Sequence, residues 1–218
     1  MAYSLSTSAA LSGPGQDAAA ALTNARAFLV SAVRDPATIG AIAPSSPALG
    51  RLLASVVPSS GEPVVVELGP GTGPVSAAIR ERMPEHGQQL AVELDPALVE
   101  HLQRTKPWLR VLTGDAGDLC ALLAEAEIST VDAMVTSLPW TLFPTEQQGR
   151  ILDQISQVLT PDGAFTAFTY LQALPMRRAR TFRQLLHFYF DEVITTRIVW
   201  RNLPPAVTYV CRRPQGHG

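Results

Sequence analysis

The sequence predicts an α/β protein with a mostly parallel, seven-stranded sheet and helices on both of its faces. After Gly61, short runs of Val, Leu and Ala alternate with stretches of helical periodicity, which is the pattern of βαβ units. A glycine-rich loop follows the first of these runs. Near the end of the chain, two further runs are joined by a short turn, which predicts an antiparallel hairpin on the sheet edge.

The segment before the sheet is predicted to be helical after a flexible start. Residues 1–16 are rich in Ser, Ala and Gly and predict a flexible arm. Apolar residues at helical spacing predict a helix over 18–33 that ends before Asp35–Pro36. Ser46–Pro47 supplies the N-cap and N1 residues of a second helix, which we expect to end near Val57–Pro58.

The remaining elements follow from the period of their apolar residues. The predicted strands are Pro63–Leu68, Gln89–Glu93, Leu109–Thr113, Val131–Ser137, Ala164–Tyr170, Val193–Trp200 and Val207–Arg212. The predicted helices are Val75–Met83, Pro96–Thr105, Ala116–Ala126, Thr145–Leu159 and Met176–Tyr189. A turn over 202–205 joins the last two strands.

Composition and charge exclude several classes of protein. The 218 residues are 46% apolar and 17% charged, which suits one globular domain, and the net charge of −2 argues against bulk binding of nucleic acid. The first 25 residues contain no Lys or Arg, and no apolar run approaches the roughly 20 residues of a membrane span. Cys120 and Cys211 lie far apart without metal-ligand spacing, so we expect a cytoplasmic protein without a metal ion.

Four polar residues fall where predicted strands end. Glu67, Glu93, Asp115 and Ser137 follow one another at steps of 26, 22 and 22 residues, and each step corresponds to one βα unit. The carboxyl ends of parallel strands meet at one edge of the sheet, where ligands bind. We therefore expect the four side chains to converge on one site.

The loop after the first strand predicts close approach of a ligand to the backbone. Residues 67–73 read Glu-Leu-Gly-Pro-Gly-Thr-Gly, so that a ligand can lie where a Cβ would collide. A dinucleotide fingerprint would need glycine at position 74, which is Pro74, and a Gly-Lys-Ser/Thr sequence is missing. The carboxylate of Glu67 would repel a pyrophosphate but suits a cationic amino-acid group.

The residues at the other strand ends indicate which further groups the ligand carries. Glu93 is placed to accept hydrogen bonds from two ribose hydroxyls, and Asp115 to accept one from the exocyclic amine of adenine. An amino acid, a ribose and an adenine together describe S-adenosylmethionine. With E-x-G-x-G-x-G, the acidic end of the second strand and Gly114-Asp115-Ala116, the sequence resembles the class I S-adenosylmethionine-dependent methyltransferases, which implies their Rossmann-like fold.

A narrower resemblance covers residues 25–175. The segments Phe28-Leu29, Ile39–Ser46, Ser137–Trp140 and Phe168–Tyr170 are similar to the bacterial phospholipid N-methyltransferases, relatives of the rRNA adenine dimethylases. The similarity departs at Leu138, where the family pattern has a glycine, and at Trp140 and Gln172. These departures fall on the substrate side.

The resemblance implies a set of site residues. Residues 17–58 would form a helical cap over the cofactor, and residues 59–218 the methyltransferase domain. The expected cofactor contacts are Pro44, Ser45, Ser46, Glu67, Gly69, Gly71, Gly73, Glu93, Leu94, Asp115, Ala116 and Ser137. Ser137, Trp140 and Tyr170 are the candidate catalytic residues, since they can accept a hydrogen bond from an amine or face a developing cation. Arg177, Arg178 and Arg180 are candidates for an anionic substrate group or a membrane surface.

We therefore expect N-methylation of an amine on a phospholipid headgroup or lipid-like small molecule, with peripheral contact to an anionic inner membrane face. The alternatives are a methyltransferase of specialised metabolism acting on a hydrophobic small molecule, and a cofactor-binding protein without methyl transfer. An rRNA dimethylase is disfavoured, because the pI is near 6.1 and only Lys106 is a lysine. The sequence leaves the methyl acceptor and the oligomeric state open.

Overall fold

The computed structural model describes residues 45–215, which form seven strands and six α-helices. The expected arm, the helix over 18–33 and Pro44 lie outside the described residues. The strands are β1 (Val64–Leu68), β2 (Gln88–Glu93), β3 (Arg110–Thr113), β4 (Val131–Thr136), β5 (Leu159–Tyr170), β6 (Phe190–Thr195) and β7 (Ala206–Pro214). The helices are α1 (Pro47–Leu53), α2 (Pro74–Arg82), α3 (Pro96–Thr105), α4 (Leu119–Glu125), α5 (Thr145–Val158) and α6 (Arg177–Tyr189).

The strands form one sheet in the order β3-β2-β1-β4-β5-β7-β6. The first five strands in this order are parallel, while β7 is antiparallel to both β5 and β6. The predicted mostly parallel sheet with an antiparallel C-terminal hairpin is thus confirmed. Strand order reverses between β1 and β4, so a crevice is expected beyond their carboxyl ends.

Helices cover both faces of the sheet. Alternation along β1 turns Val65 towards Leu49 and Ile79 of α1 and α2. It turns Val66 towards the other layer, which includes Ile151 of α5 and Phe182 of α6. Because both faces are buried, the central strands are almost continuously apolar, as in other parallel sheets.

Local signals position the starts of the helices. The Ser46 hydroxyl accepts from the Leu49 N–H at 3.2 Å, and Pro47 occupies the first turn of α1. Asp95 caps α3 in the same way, at 2.9 Å from the Ala97 N–H. These caps satisfy N–H groups that a helix start leaves without intrahelical partners.

Four predicted elements differ clearly from the structure. Strand β5 begins at Leu159 and not at Ala164. Strand β6 is Phe190–Thr195 and not Val193–Trp200, because the chain leaves the sheet after Thr195 and returns only through a single bridge between Val199 and Ala206. The helix expected over Ala116–Ala126 begins as a 3-10 turn, since Asp115 accepts from the Gly117 N–H at 2.8 Å. The helix expected to reach Val57 ends as a 3-10 turn at 54–56.

Candidate active site

An open cleft lies at the carboxyl edge of the sheet. The ends of β2, β3 and β4, the glycine loop and the first turns of α5 form its walls. The predicted residues that line it are Gly69, Gly71, Glu93, Leu94, Asp115, Ala116 and Ser137.

The glycine loop turns through left-handed backbone at Gly69, Gly71 and Gly73. At Gly71 (φ +59°) a Cβ would meet no atom within 4 Å, so this glycine leaves open space at the cleft. At Gly73 (φ +81°) a Cβ would lie 2.4 Å from Cε of Lys106. Gly71 therefore leaves room for a ligand, and Gly73 allows the side chain of Lys106 to brace the loop.

Glu93 joins the end of β2 to the glycine loop. One carboxylate oxygen accepts from the N–H groups of Leu94 (2.8 Å) and Asp95 (3.0 Å), and the other accepts from Gly71 N–H at 3.1 Å. Burial raises the pKa of Glu93, and these backbone N–H groups act in the opposite direction. The side chain thus orients the glycine loop while its carboxylate lines the cleft.

Glu67 lies beneath the loop and does not line the cleft. Its position on β1 turns it towards the layer that contains α2, where it accepts a 2.5 Å hydrogen bond from the Ser76 hydroxyl. Burial raises the pKa of Glu67 to about 7; Ser76 and Lys106 lower it, and the charge of Glu93 raises it. Ser137 approaches the buried carboxyl group closely enough to lower the pKa of Glu67, although within residues 45–215 no hydrogen bond of ordinary geometry reaches Oε1. A buried carboxylate of this kind attracts a cationic ligand group.

The two aspartates after β3 have different surroundings. Asp115 lines the cleft and caps the Gly117 N–H. Asp118, which follows it by one turn, forms an ion pair with Arg150 of α5 at the surface. The geometry therefore favours Asp115 over Asp118 as the ligand-facing carboxylate.

The segment after β4 supplies both a polar and an apolar wall. Ser137 lines the cleft, and its buried hydroxyl lies beside the carboxyl group of Glu67, whose pKa it lowers. Leu138 packs against the glycine loop so closely that a Cβ on Gly69 would lie 2.6 Å from its Cδ2. The residue that departs from the family pattern thus covers the first glycine of the loop.

The structure corrects the expected position of Trp140. Its ring is 1% exposed, stacks on Phe182 at 4.4 Å between centroids, and donates from Nε1 to the Thr136 hydroxyl at 2.8 Å. The sequence interpretation placed the ring on the rim because Trp140 follows a strand end closely. A short 3-10 turn at Trp140–Leu142 instead directs the ring into the core.

The remaining predicted residues lie around the cleft without lining it. Tyr170 is half-buried against Phe168 on the side of α1, and its pKa is raised by burial. Ser45 and Ser46 precede α1, where Ser46 serves as N-cap. The three arginines of the predicted anionic site are exposed on the first turn of α6, and Arg178 donates to the Leu142 carbonyl at 3.1 Å.

Gln147 is a site residue that the sequence analysis missed. It lies in the first turn of α5, lines the cleft and is 6% exposed, and its Oε1 has no hydrogen-bond partner among the described residues. Arg150, on the same helix, donates to the Gly117 carbonyl at 3.0 Å, which brings α5 against the segment of Asp115. The position of a glutamine near a predicted helix start was the only signal in the sequence, because the burial of a side chain cannot be read from one sequence.

The chain is similar in sequence to known proteins. A family described as "Methyltransferase domain" matches residues 65–163. The ornithine lipid N-methyltransferase of Singulisphaera acidiphila is 34% identical over 188 residues, which cover 85% of this chain and 94% of that protein.

Two solved structures share the fold. The 1,6-didemethyltoxoflavin-N1-methyltransferase of Burkholderia thailandensis, with bound S-adenosylhomocysteine, has a TM-score of 0.64 and 18% identity, over 96% of this chain and 94% of that one. An O-methyltransferase from Bacillus cereus in complex with SAH has a TM-score of 0.61 and 13% identity, covering 93% of each chain.

Proposed function

The chain belongs to the class I S-adenosylmethionine-dependent methyltransferases, and from this premise we propose that it N-methylates an amine on a lipid or lipid-like small molecule. The observation that carries the proposal is the 34% identity to an ornithine lipid N-methyltransferase over nearly the whole of that protein. The cofactor is S-adenosylmethionine.

The described residues fit this cofactor. The carboxyl group of Glu67, buried beneath the loop, would attract the ammonium group through its charge. The open space at Gly71 lies beside the Glu93 carboxylate, which suits ribose hydroxyls. Asp115 and the unpartnered oxygen of Gln147 suit an adenine amine. We propose that these residues hold the cofactor, together with Gly69, Leu94 and Ala116 of the cleft wall.

The bound cofactor supplies a sulfonium methyl group to an amine that attacks in line. The residues of the chain need only orient an unprotonated amine and exclude water. We propose that the Ser137 hydroxyl accepts a hydrogen bond from the amine N–H and so orients the nitrogen lone pair. Leu138, Pro139 and Phe143 would provide the apolar wall that excludes water.

A peripheral membrane contact is the second part of the proposal. Arg177, Arg178 and Arg180 are exposed where α6 begins, at the end of the sheet that carries the cleft. An arginine near an anionic leaflet contributes about 1 kcal/mol to the free energy of membrane binding. Within the described part of the chain, no helix has the length and apolar character needed to cross a bilayer.

The test is methyl transfer from labelled S-adenosylmethionine to ornithine lipid, phosphatidylethanolamine and their free headgroups, with S-adenosylhomocysteine measured as product. We expect transfer to at least one aminolipid and little to its free headgroup. Transfer only to non-lipid hydrophobic amines would favour the small-molecule alternative. Cofactor binding without any S-adenosylhomocysteine would reject the proposal and leave a binding protein.

A further inference from the structure

Two large apolar side chains project from the loop between β6 and β7. Trp200 is 69% exposed and Leu203 is 76% exposed, which makes them the most exposed large apolar residues of the described chain. They lie three positions apart in the segment 196–205, which we name the Trp200 loop. Clustered exposed apolar residues of this kind mark interaction surfaces.

The Trp200 loop is held by hydrogen bonds. Asn202, which is 2% exposed, accepts from the Ser46 N–H at 2.9 Å and donates to the Pro204 carbonyl at 2.7 Å. A bridge from the Val199 N–H to the Ala206 carbonyl, at 2.8 Å, closes the loop. The side chain of Asn202 thus points inwards, while Trp200 and Leu203 face solvent.

The loop lies at the same edge of the sheet as the cleft. Ala206 pairs with Tyr170 at the carboxyl end of β5, and the Leu171 N–H donates to the Pro205 carbonyl at 2.7 Å. Strand β5 is parallel to β4, whose carboxyl end continues into Ser137 on the cleft wall. A surface that contacted Trp200 would therefore meet the edge of the sheet on which the cleft opens.

The surroundings of the loop are positively charged. Residues 171–180 and 196–205, which the Leu171–Pro205 hydrogen bond joins, contain five arginines and no Asp or Glu. All five are exposed, and Met176, which is 53% exposed, adds a third apolar side chain. The five arginines are Arg177, Arg178, Arg180, Arg197 and Arg201.

We propose that the Trp200 loop inserts Trp200 and Leu203 into the interface of an anionic bilayer, with the five arginines binding lipid phosphates. Tryptophan combines an apolar body with an N–H group that suits the headgroup region, and arginine binds phosphate strongly. The charge selects an anionic lipid surface over a neutral apolar partner. The inference rests on the proposed function, because docking in this orientation would present the cleft to a lipid substrate.

The test uses the full chain with vesicles of phosphatidylcholine, with and without phosphatidylglycerol. We expect sedimentation with the anionic vesicles, and a loss of roughly tenfold or more in partitioning when Trp200→Ser and Leu203→Ser are combined. Phe188→Ser is the matched control. Phe188 is 54% exposed near the end of α6, close to Phe190, which pairs with Pro214 at the opposite edge of the sheet.

Fluorescence provides a readout at the residue itself. Of the three tryptophans, Trp140 is buried, and Trp108, which is 37% exposed, lies just before β3 at the opposite edge of the sheet. Quenching by brominated phosphatidylcholine in the anionic vesicles should therefore come largely from Trp200 and fall sharply in Trp200→Phe. Quenching that Trp200→Phe leaves unchanged would overturn the proposal. The proposal would also be overturned if Trp200 were already shielded from solvent in the absence of vesicles, as it would be if residues 1–44 covered it.

Further outcomes distinguish membrane docking from catalysis. If the double variant keeps its vesicle binding, or changes the oligomeric state by sedimentation velocity, the Trp200 loop is not a membrane surface. The double variant should still methylate a short-chain aminolipid dispersed as monomers, with an unchanged melting temperature. If the wild-type chain fails to methylate that lipid yet binds vesicles through Trp200, the proposed function fails while the docking surface stands.

Discussion

Lys106 donates a 3.1 Å hydrogen bond from Nζ to the carbonyl oxygen of Thr72 in the glycine loop. Its methylene groups fill the space beside Gly73, where a Cβ would lie 2.4 Å from Cε. Its positive charge also lowers the pKa of Glu67 beneath the loop. The one lysine of the chain therefore braces the loop and partly compensates the buried carboxyl group.

Replacing Lys106 should weaken cofactor binding more than it slows transfer. Lys106→Met keeps the apolar stem but loses the hydrogen bond, so we expect the Kd for S-adenosylhomocysteine to rise about three- to tenfold. Isothermal titration calorimetry measures this, with Lys106→Arg as the variant that keeps the charge. An unchanged Kd in Lys106→Met would show that the loop needs no brace.

Glu67 should make stability depend on pH. Its pKa is near 7 in the folded chain and about 4.5 when exposed, so the folded state binds more protons between these values. Stability from this group is therefore lost as pH rises through that window, by about 3 kcal/mol in all.

Urea unfolding of the wild-type chain and Glu67→Gln at pH 5 and pH 8 checks the sign. We expect the difference in unfolding free energy between the two proteins to move in favour of Glu67→Gln at pH 8. A difference that does not change with pH would mean that Glu67 keeps an ordinary pKa.

Glu93→Ala should lower both cofactor affinity and stability. The substitution removes the acceptor for the N–H groups of Gly71, Leu94 and Asp95, which should cost about 1–3 kcal/mol in stability. We expect tenfold or greater loss of affinity by calorimetry, with Glu93→Gln intermediate because it keeps one acceptor oxygen. Unchanged affinity in Glu93→Ala would show that the ribose lies elsewhere.

Gln147 should contribute to recognition of the adenine amine. We expect the wild-type chain to bind S-adenosylhomocysteine about tenfold or more tightly than S-inosylhomocysteine, which has an acceptor in place of that amine, and Gln147→Leu to reduce this ratio. Gln148→Leu is the control. Gln148 does not line the cleft but donates to the Trp140 carbonyl at 2.7 Å. Gln148→Leu should therefore lower stability without changing the ratio of the two affinities.

Trp140 should matter for stability and not for the reaction. Trp140→Phe removes the hydrogen bond to Thr136 and should cost about 1 kcal/mol. Trp140→Ala, which empties a core site beside Phe182, should cost about 3–5 kcal/mol. Thermal melting and kcat/KM measure the two effects. A large loss of kcat in Trp140→Phe at unchanged stability would indicate that the ring takes part in the reaction.

The fold class and the location of the site were predictable because they depend on local patterns. Glycines at 69, 71 and 73 and acidic residues at strand ends identify the carboxyl edge of a parallel sheet, whatever packs around it. The antiparallel hairpin was predictable in the same way, because only a short connection joins its two strands. The bounds of β6 were not predictable, because they depend on its pairing with β7, which apolar periodicity does not show.

The sequence by itself determined that this protein has a mostly parallel sheet, and it predicted a site for S-adenosylmethionine at one edge of that sheet. The tertiary structure alone decided which way individual side chains face: Trp140 into the core, Glu67 beneath the loop, Gln147 into the cleft and Trp200 into solvent. The physical reason is that main-chain conformation follows from near neighbours, through periodicity, glycine and capping. The burial of a side chain depends on partners that only the folded chain brings together.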